Sequence, residues 1–296
     1  MAVMLNRREF AFGAIATVVP ATTPKYRIID AQAHLWIIDP HYPWAPETKN
    51  PPTESRTAEM LLQLMKANHV ERTVVVQSIN YLWDNRYALD SIKKYAPRFR
   101  GVCRVNPVDP AAPDQLSALT AQGFHGVRLS PVEDASGDWI NGPLMPPLWK
   151  RAEALKVPMQ IIAPITRMPD LAHLIEQCPD LNVVIDHMAD CPIDQPHELD
   201  KLIALARYPR VFVKISHTWS ISRQPYPWLD AQEYVRRVYA AFGPHRLMWA
   251  TDWPIDLTWT TYARALSVVR DDMKFLNEED KSWVLSKTVQ QVWPFS

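Results

Sequence analysis

Glycine is scarce, with seven in 296 residues, and none sits in a G-x-G-x-x-G or G-x-x-x-x-G-K-[ST] spacing. That argues against a dinucleotide-binding turn and a P-loop, which need glycine where the backbone meets phosphate. G-x-S-x-G is absent too, and with it the nucleophile elbow of an α/β-hydrolase. Cysteine is limited to Cys103, Cys178 and Cys191, with no C-x-x-C. An odd number without that spacing reads as free, buried thiols rather than a disulfide framework or a structural zinc. Net charge is missing as well, because 32 Lys and Arg balance 32 Asp and Glu. Neither nucleic acid nor an anionic membrane surface is favoured as a partner. No apolar run reaches the roughly 18 residues of a spanning helix. What remains, 47% apolar and 22% charged, is an ordinary globular composition.

The N-terminus carries its own signal. Arg7 and Arg8 precede Phe10 and a short apolar run from Ala11 to Val19, closed by Pro20 and Pro24. A charged patch, an apolar stretch and small residues make an export peptide, and the paired arginines resemble a twin-arginine signal; the alternative is a loosely docked tail. Residues 1–25 are therefore set apart from a domain at 26–296. An exported reading gives a periplasmic protein, and a cytoplasmic one follows if the segment is not a signal.

From Lys25 the chain settles into a beat of short apolar runs and amphipathic stretches. Strands are expected at 26–30, 72–78, 100–105, 126–131, 158–163, 181–187, 211–217 and 247–251. The runs are apolar throughout rather than alternating, as in parallel strands covered on both faces. Helices are expected between them at 57–68, 86–95, 113–122, 148–156, 170–177, 198–207 and around Val235, Val238, Tyr239 and Phe242, with two more from Thr260 and Glu278. Eight strand–helix units without a linker predict a single (β/α)8 TIM barrel.

In such a barrel the C-terminal ends of the strands share one mouth. Here they carry Gln32 and His34, Gln77 and Ser78, Arg128, Gln160, His187, Lys214 with Ser216 and His217, and Asp252. Residues two apart on a strand face one side, so Gln32 and His34 point inward together. Asp252, between the buried run 247–251 and the Trp253–Pro254 break, is the pivot. By itself it reads equally as a helix cap, and a lone histidine is usually a core residue. Their convergence is what indicates a site.

Asp30 to Trp36, His125 to Leu129, Val184 to Met188, Val213 to Ser216 and Leu247 to Pro254 together resemble the amidohydrolase superfamily. The closer likeness is to its lactonase-like branch, of pyrone-dicarboxylate, sugar-acid and sulfomuconolactone lactonases. The wider superfamily places a His-x-His pair on the first strand, a histidine on the fifth and an aspartate on the eighth around a divalent metal. A sixth-strand histidine often assists. This chain has Gln32 in place of the first histidine and Gln160-Ile-Ile-Ala163 on the fifth strand. Amide side chains are poor zinc ligands, so only His34 and Asp252 keep usual ligand positions. The expectation is that no cofactor is required, with room for a weakly held divalent metal such as zinc.

The resemblance then implies hydrolysis of a small, carboxylated lactone as a metal-independent reaction. With the strand-end residues, it makes a small-molecule substrate the expected partner. Asp252 would take a proton from water, and His34 and His187, with Gln32, would donate to the carbonyl oxygen as charge develops. Arg128 would hold a substrate carboxylate. Lys214 would do the same or form a salt bridge inside the barrel. Gln77, Trp36 and Trp253 are expected to complete the pocket. A metal-dependent aromatic acid decarboxylase of the same superfamily and a barrel that binds without catalysis are the rival readings.

Overall fold

The computed structural model describes residues 25–130 and 138–295. The segment 1–24, with the expected export signal, and most of the loop after the fourth strand lie outside the described residues. Eight strands form one parallel sheet in chain order: β1 (Ile29–Ala33), β2 (Arg72–Val76), β3 (Phe99–Arg104), β4 (Gly126–Leu129), β5 (Met159–Ile161), β6 (Val183–Ile185), β7 (Val211–Lys214) and β8 (Leu247–Met248). Helices follow them, among others Ala58–Ala67, Arg86–Lys94, Ala112–Gln122, Met145–Ala154 and Leu229–Phe242. Thr57 caps the first by accepting the Met60 N–H, and Gly123, at φ +121°, ends the third. This is the expected (β/α)8 barrel.

Closure depends on β8 meeting β1. The ladder of β8 covers only two residues, shorter than the run 247–251 suggested. Beyond it the chain still pairs, with the Ala31 N–H on the Trp249 carbonyl (3.1 Å), the Asp252 N–H on the Gln32 carbonyl (3.0 Å) and a parallel bridge from Ala33 to Trp253. The register of β1 slips between Asp30 and Ala33. Buried Asp30 braces the slip by accepting the N–H groups of Gln32 (3.1 Å) and Thr251 (2.9 Å). A bulge of this kind re-aims side chains. Ile29 and Ala31 face the barrel interior, and Gln32 follows them inward.

Two apolar layers result. The inner one stacks Ile29, Val74, Val102, Val184, Phe212 and Met248 on a plug of Val289, Val292, Trp293 and Phe295 from the C-terminal segment. Gly126 admits that plug, because a Cβ there would lie 2.8 Å from Trp293 Nε1. The outer layer packs the other strand faces on the helices. With the N-terminal end plugged, the opposite mouth is left for chemistry. The three cysteines are free and buried. No helix among the described residues is long and apolar enough to cross a membrane.

Candidate active site

The mouth holds a cavity of about 230 Å³. His34, His187, His217 and Asp252 line one part of it, Arg128 and Ser130 another, and Trp36, Ile79, Ile162 and Ile255 supply apolar wall. Three of these residues have left-handed backbones: His187 (φ +52°), His217 (+64°) and Asp252 (+59°). Non-glycine residues adopt that region at a cost, and such strain collects at functional sites. At His187 and His217 it also breaks strand alternation. Asp186 and Ser216 take the inward positions by period two, and the turn brings the next residue in as well. The two imidazoles stack in parallel, centroids 3.5 Å apart.

Asp252 is the hub. Its Oδ1 accepts from Gln32 Nε2 (2.5 Å) and lies 3.1 Å from His34 Nε2, while Oδ2 faces His217 Nε2 at 3.0 Å. Burial opposes its charge, but the His187 and His34 rings and the bond from His217 outweigh it and hold the carboxyl well below its usual range. His217 Nδ1 meets Asp190 Oδ1 at 2.7 Å, so both its ring nitrogens face carboxylates. Burial works against a charge there too, yet those two partners push its pKa up to about 9, and it stands as an imidazolium. Burial, with the neighbouring His217 charge, pushes His187 down to about 3 and keeps it neutral. Its Nδ1 bonds Ser216 Oγ (2.7 Å).

Gln32 is fixed from behind. Its Oε1 accepts from Lys214 Nζ (2.7 Å) and from Gln160 Nε2 (2.9 Å). Two donors on the oxygen settle the amide's orientation. The NH₂ therefore points at Asp252, with His187 Nε2 at 3.2 Å and His34 Nε2 at 3.3 Å. His187 Nε2, neutral and facing that NH₂, accepts a hydrogen bond, where the sequence suggested a donor to substrate. His34 Nδ1 faces the Val76 carbonyl (2.8 Å) and so carries a proton.

Below lies an ionic layer. Asp186 Oδ2 accepts from Arg128 Nε and Gln160 Nε2, each at 2.9 Å, and Oδ1 lies 3.1 Å from Lys214 Nζ. Burial would raise Asp186, but the Lys214 and Arg128 charges overcome it and lower its pKa to about 2. Lys214 is wholly buried in this layer, as the salt bridge inside the barrel. It does not line the cavity. Gln77 is likewise buried, donating to the Asp84 carbonyl (2.7 Å), and Trp253 is buried behind the strand ends. Of the residues singled out from sequence, His34, Trp36, Arg128, His187 and Asp252 reach the cavity, and Gln32 stands just under them. His217 stands among the strand-end residues in the sequence but carries no role there. Alternation from Lys214 and Ser216 alone would turn it outward, and the left-handed turn brings it to Asp252.

One ligand atom each from His187, His217 and Asp252 lie within 4.8 Å of one another, and the three could hold a metal ion. The set differs from the pair His34 and Asp252 expected from sequence. Its fit to a resident divalent ion is poor, however. An N–H donor, Gln32 Nε2, is aimed at two members of the set, and His217 is spent as a cation between two carboxylates. Metal ligands must be deprotonated lone-pair donors.

Residues 29–295 match the amidohydrolase family. The chain is 31% identical over 233 residues to an L-fucono-1,5-lactonase of Burkholderia ambifaria, spanning 77% of this chain and 80% of the relative. It is 27% identical over 238 residues to a 2-pyrone-4,6-dicarboxylate hydrolase of Comamonas testosteroni, 76% of each chain. In fold it resembles an amidohydrolase from Burkholderia multivorans with bound zinc (TM-score 0.75, 18% identity), over 91% of this chain and 100% of that one.

Proposed function

We propose that this chain, which belongs to the amidohydrolase family, hydrolyses the ester bond of a small, carboxylated lactone. Support comes from the lactone-opening activities named for its two relatives. The observation that carries the reading is Asp252, an ionised carboxylate at the tip of β8, ringed by three histidines and opening on a cavity that Arg128 also lines.

In this reading Asp252 orients the attacking water and takes its proton. A lactone carbonyl is electrophilic enough for general-base attack. The His217 imidazolium lines the cavity and answers charge developing on the carbonyl oxygen through its field, since both its N–H groups are held by carboxylates. His34, its Nδ1–H on the Val76 carbonyl, packs against Asp252 rather than donating to the substrate as the sequence suggested. His187 holds its place by stacking and through Ser216. Arg128 binds the substrate carboxylate, for which its planar fork is suited. Proton release on a panel of carboxylated and neutral lactones tests the assignment. Ring opening supports it; no turnover of any lactone, together with carbon dioxide release from aromatic acids, would overturn it.

The reaction is proposed to need no resident metal. Gln32 supports this, because its fixed NH₂ supplies Asp252 with the electropositive partner that an ion would otherwise provide. Metal content of the purified, active protein decides it, and one tightly held ion per chain lost together with activity contradicts it. Arg7 and Arg8 support export by a twin-arginine route. Replacing both by lysine is expected to retain the protein in the cytoplasm, and unimpaired export of that variant removes the proposal.

A further inference from the structure

We propose that Arg104, at the end of β3, is the second half of a carboxylate subsite whose first half is Arg128. The assignment names the substrate class of the hydrolase proposed above and rests on that reading. Arg104 is fully buried, and among the described residues none of its three guanidinium nitrogens has a hydrogen-bond partner. The guanidinium lies over the Trp83 ring, 5.7 Å from its centroid. Its backbone is tied down by comparison: the N–H donates to Asn85 Oδ1 (2.9 Å) and the carbonyl accepts from Asn85 Nδ2 (3.0 Å). A buried guanidinium with no acceptor is a costly arrangement that packing alone does not favour. Such a group calls for an explanation, and a ligand is the direct one.

Its position fits. Arg104 is the register partner of Arg128 on the adjacent strand, and parallel pairing puts register partners on one side of the sheet. Arg128 reaches across the interior to Asp186, and Val102, two residues before Arg104, belongs to the interior layer. The cavity is walled by Ser78, Ile79 and Asn80 after β2 and by Arg128 and Ser130 from β4, the strands on either side of β3. Ser130 Oγ is itself buried and, among the described residues, without a partner.

Charge points the same way. The layer holds three cations, Arg104, Arg128 and Lys214, against the single carboxylate of Asp186, since Asp252 is already answered by His217. Burial, helped by the Arg128 charge, pulls the Arg104 pKa down to about 9. An incoming carboxylate seated on Arg128 and Ser130 corrects the surplus and gives Arg104 its acceptor. Guanidinium and carboxylate match as planar, bidentate partners.

Malonate is the probe, with dimethyl malonate as the uncharged control and phosphate as the competing anion, each titrated into the full-length protein by calorimetry and thermal melting. Malonate is expected to bind and raise the melting temperature, dimethyl malonate to do neither, and phosphate to bind more weakly than malonate. Arg104→Met should weaken malonate at least about tenfold. Its ligand-free melting temperature should equal or exceed that of the parent, because an uncompensated charge is gone. Arg104→Lys should recover part of the affinity. In turnover, Arg104→Met should raise KM for a carboxylated lactone more than it lowers kcat.

Three results overturn the subsite: malonate failing to bind the parent, equal malonate affinity in Arg104→Met, or a clear fall in that variant's ligand-free melting temperature, which marks a structural residue. Phosphate binding as tightly as malonate overturns the carboxylate assignment. The two proposals fail separately. Malonate binding that depends on Arg104 in a protein that opens no lactone keeps the subsite and removes the lactonase, whereas lactone turnover indifferent to Arg104 does the reverse.

Discussion

Replacing Gln32 by Leu, of similar volume, isolates what the buried amide contributes. Four hydrogen bonds go: Lys214 Nζ at 2.7 Å, Gln160 Nε2 at 2.9 Å, the one to Asp252 Oδ1 at 2.5 Å and the one to His187 Nε2 at 3.2 Å. Bonds to charged groups are worth about 1.5–3 kcal/mol each and a neutral one about 1, so the gross loss is about 5–8 kcal/mol. No ion is stranded, because Lys214 keeps Asp186 (3.1 Å) and Asp252 keeps His217 (3.0 Å). Burying a leucine side chain returns about 1.5–3 kcal/mol. The net cost is roughly 2–6 kcal/mol, or a fall of about 4–12 °C in melting temperature for a chain of this size. Calorimetric melting measures it. A fall of under about 2 °C would show that the amide is not clamped as described. Gln32→His has a different signature. It restores a His-x-His pair and removes the N–H that faces the other ligands, so zinc affinity should rise measurably by titration. Unchanged affinity would contradict the role given to the amide.

Arg128→Met should raise KM for a carboxylated lactone well beyond its effect on kcat, the pattern expected when a group grips ground and transition states alike. An unchanged KM assigns Arg128 to the Asp186 ion pair alone. Asp256 tests the electrostatics away from catalysis. Among the described residues both its oxygens are buried without partners, and burial, then the Asp30 and Asp252 charges, push its pKa up to about 8. A raised carboxyl contributes stability that is complete below the unfolded pKa near 3.8 and lost as pH rises through about 8. The parent should lose up to about 1.4 kcal/mol per pH unit from this group across that window, and Asp256→Asn should not. Urea midpoints of the two proteins at pH 5 and pH 8 report it, and a constant difference between them rules it out.

The barrel was legible because its strands are apolar runs of the right length, separated by helix-periodic stretches. Gln32, His34 and Asp252 were legible because they lie at strand ends, although the register slip in β1 and the left-handed turn at Asp252, rather than strict alternation, aim Gln32 and Asp252 inward. Alternation fails at His217 too. Strict alternation after Lys214 sends Ser216 inward and His217 outward, and only the left-handed turn at His217 brings both to Asp252 and His187. The same kind of turn hid the metal-capable set, since all three of its members stand at positive φ. Lys214 was open to two readings, and distance settles them: its nitrogen meets Asp186 and Gln32 beneath the cavity. Arg104 carries one local signal, its place on the strand. It follows Arg100 and Val102 on one strand face, yet nothing local reveals that its guanidinium finds no acceptor. That property depends on β4, β6 and the loop around Trp83, which come together only in the fold.

In the proposed reaction Asp252 is the group that takes the proton from water. Asp252→Asn keeps the shape of the side chain and removes its capacity to accept that proton, while His217 retains Asp190 as a partner. On whichever carboxylated lactone the parent opens, kcat for the variant should fall by about 10²–10⁴-fold, with the barrel's circular dichroism unchanged. A folded Asp252→Asn protein that keeps more than about a tenth of the parent's kcat would contradict the mechanism.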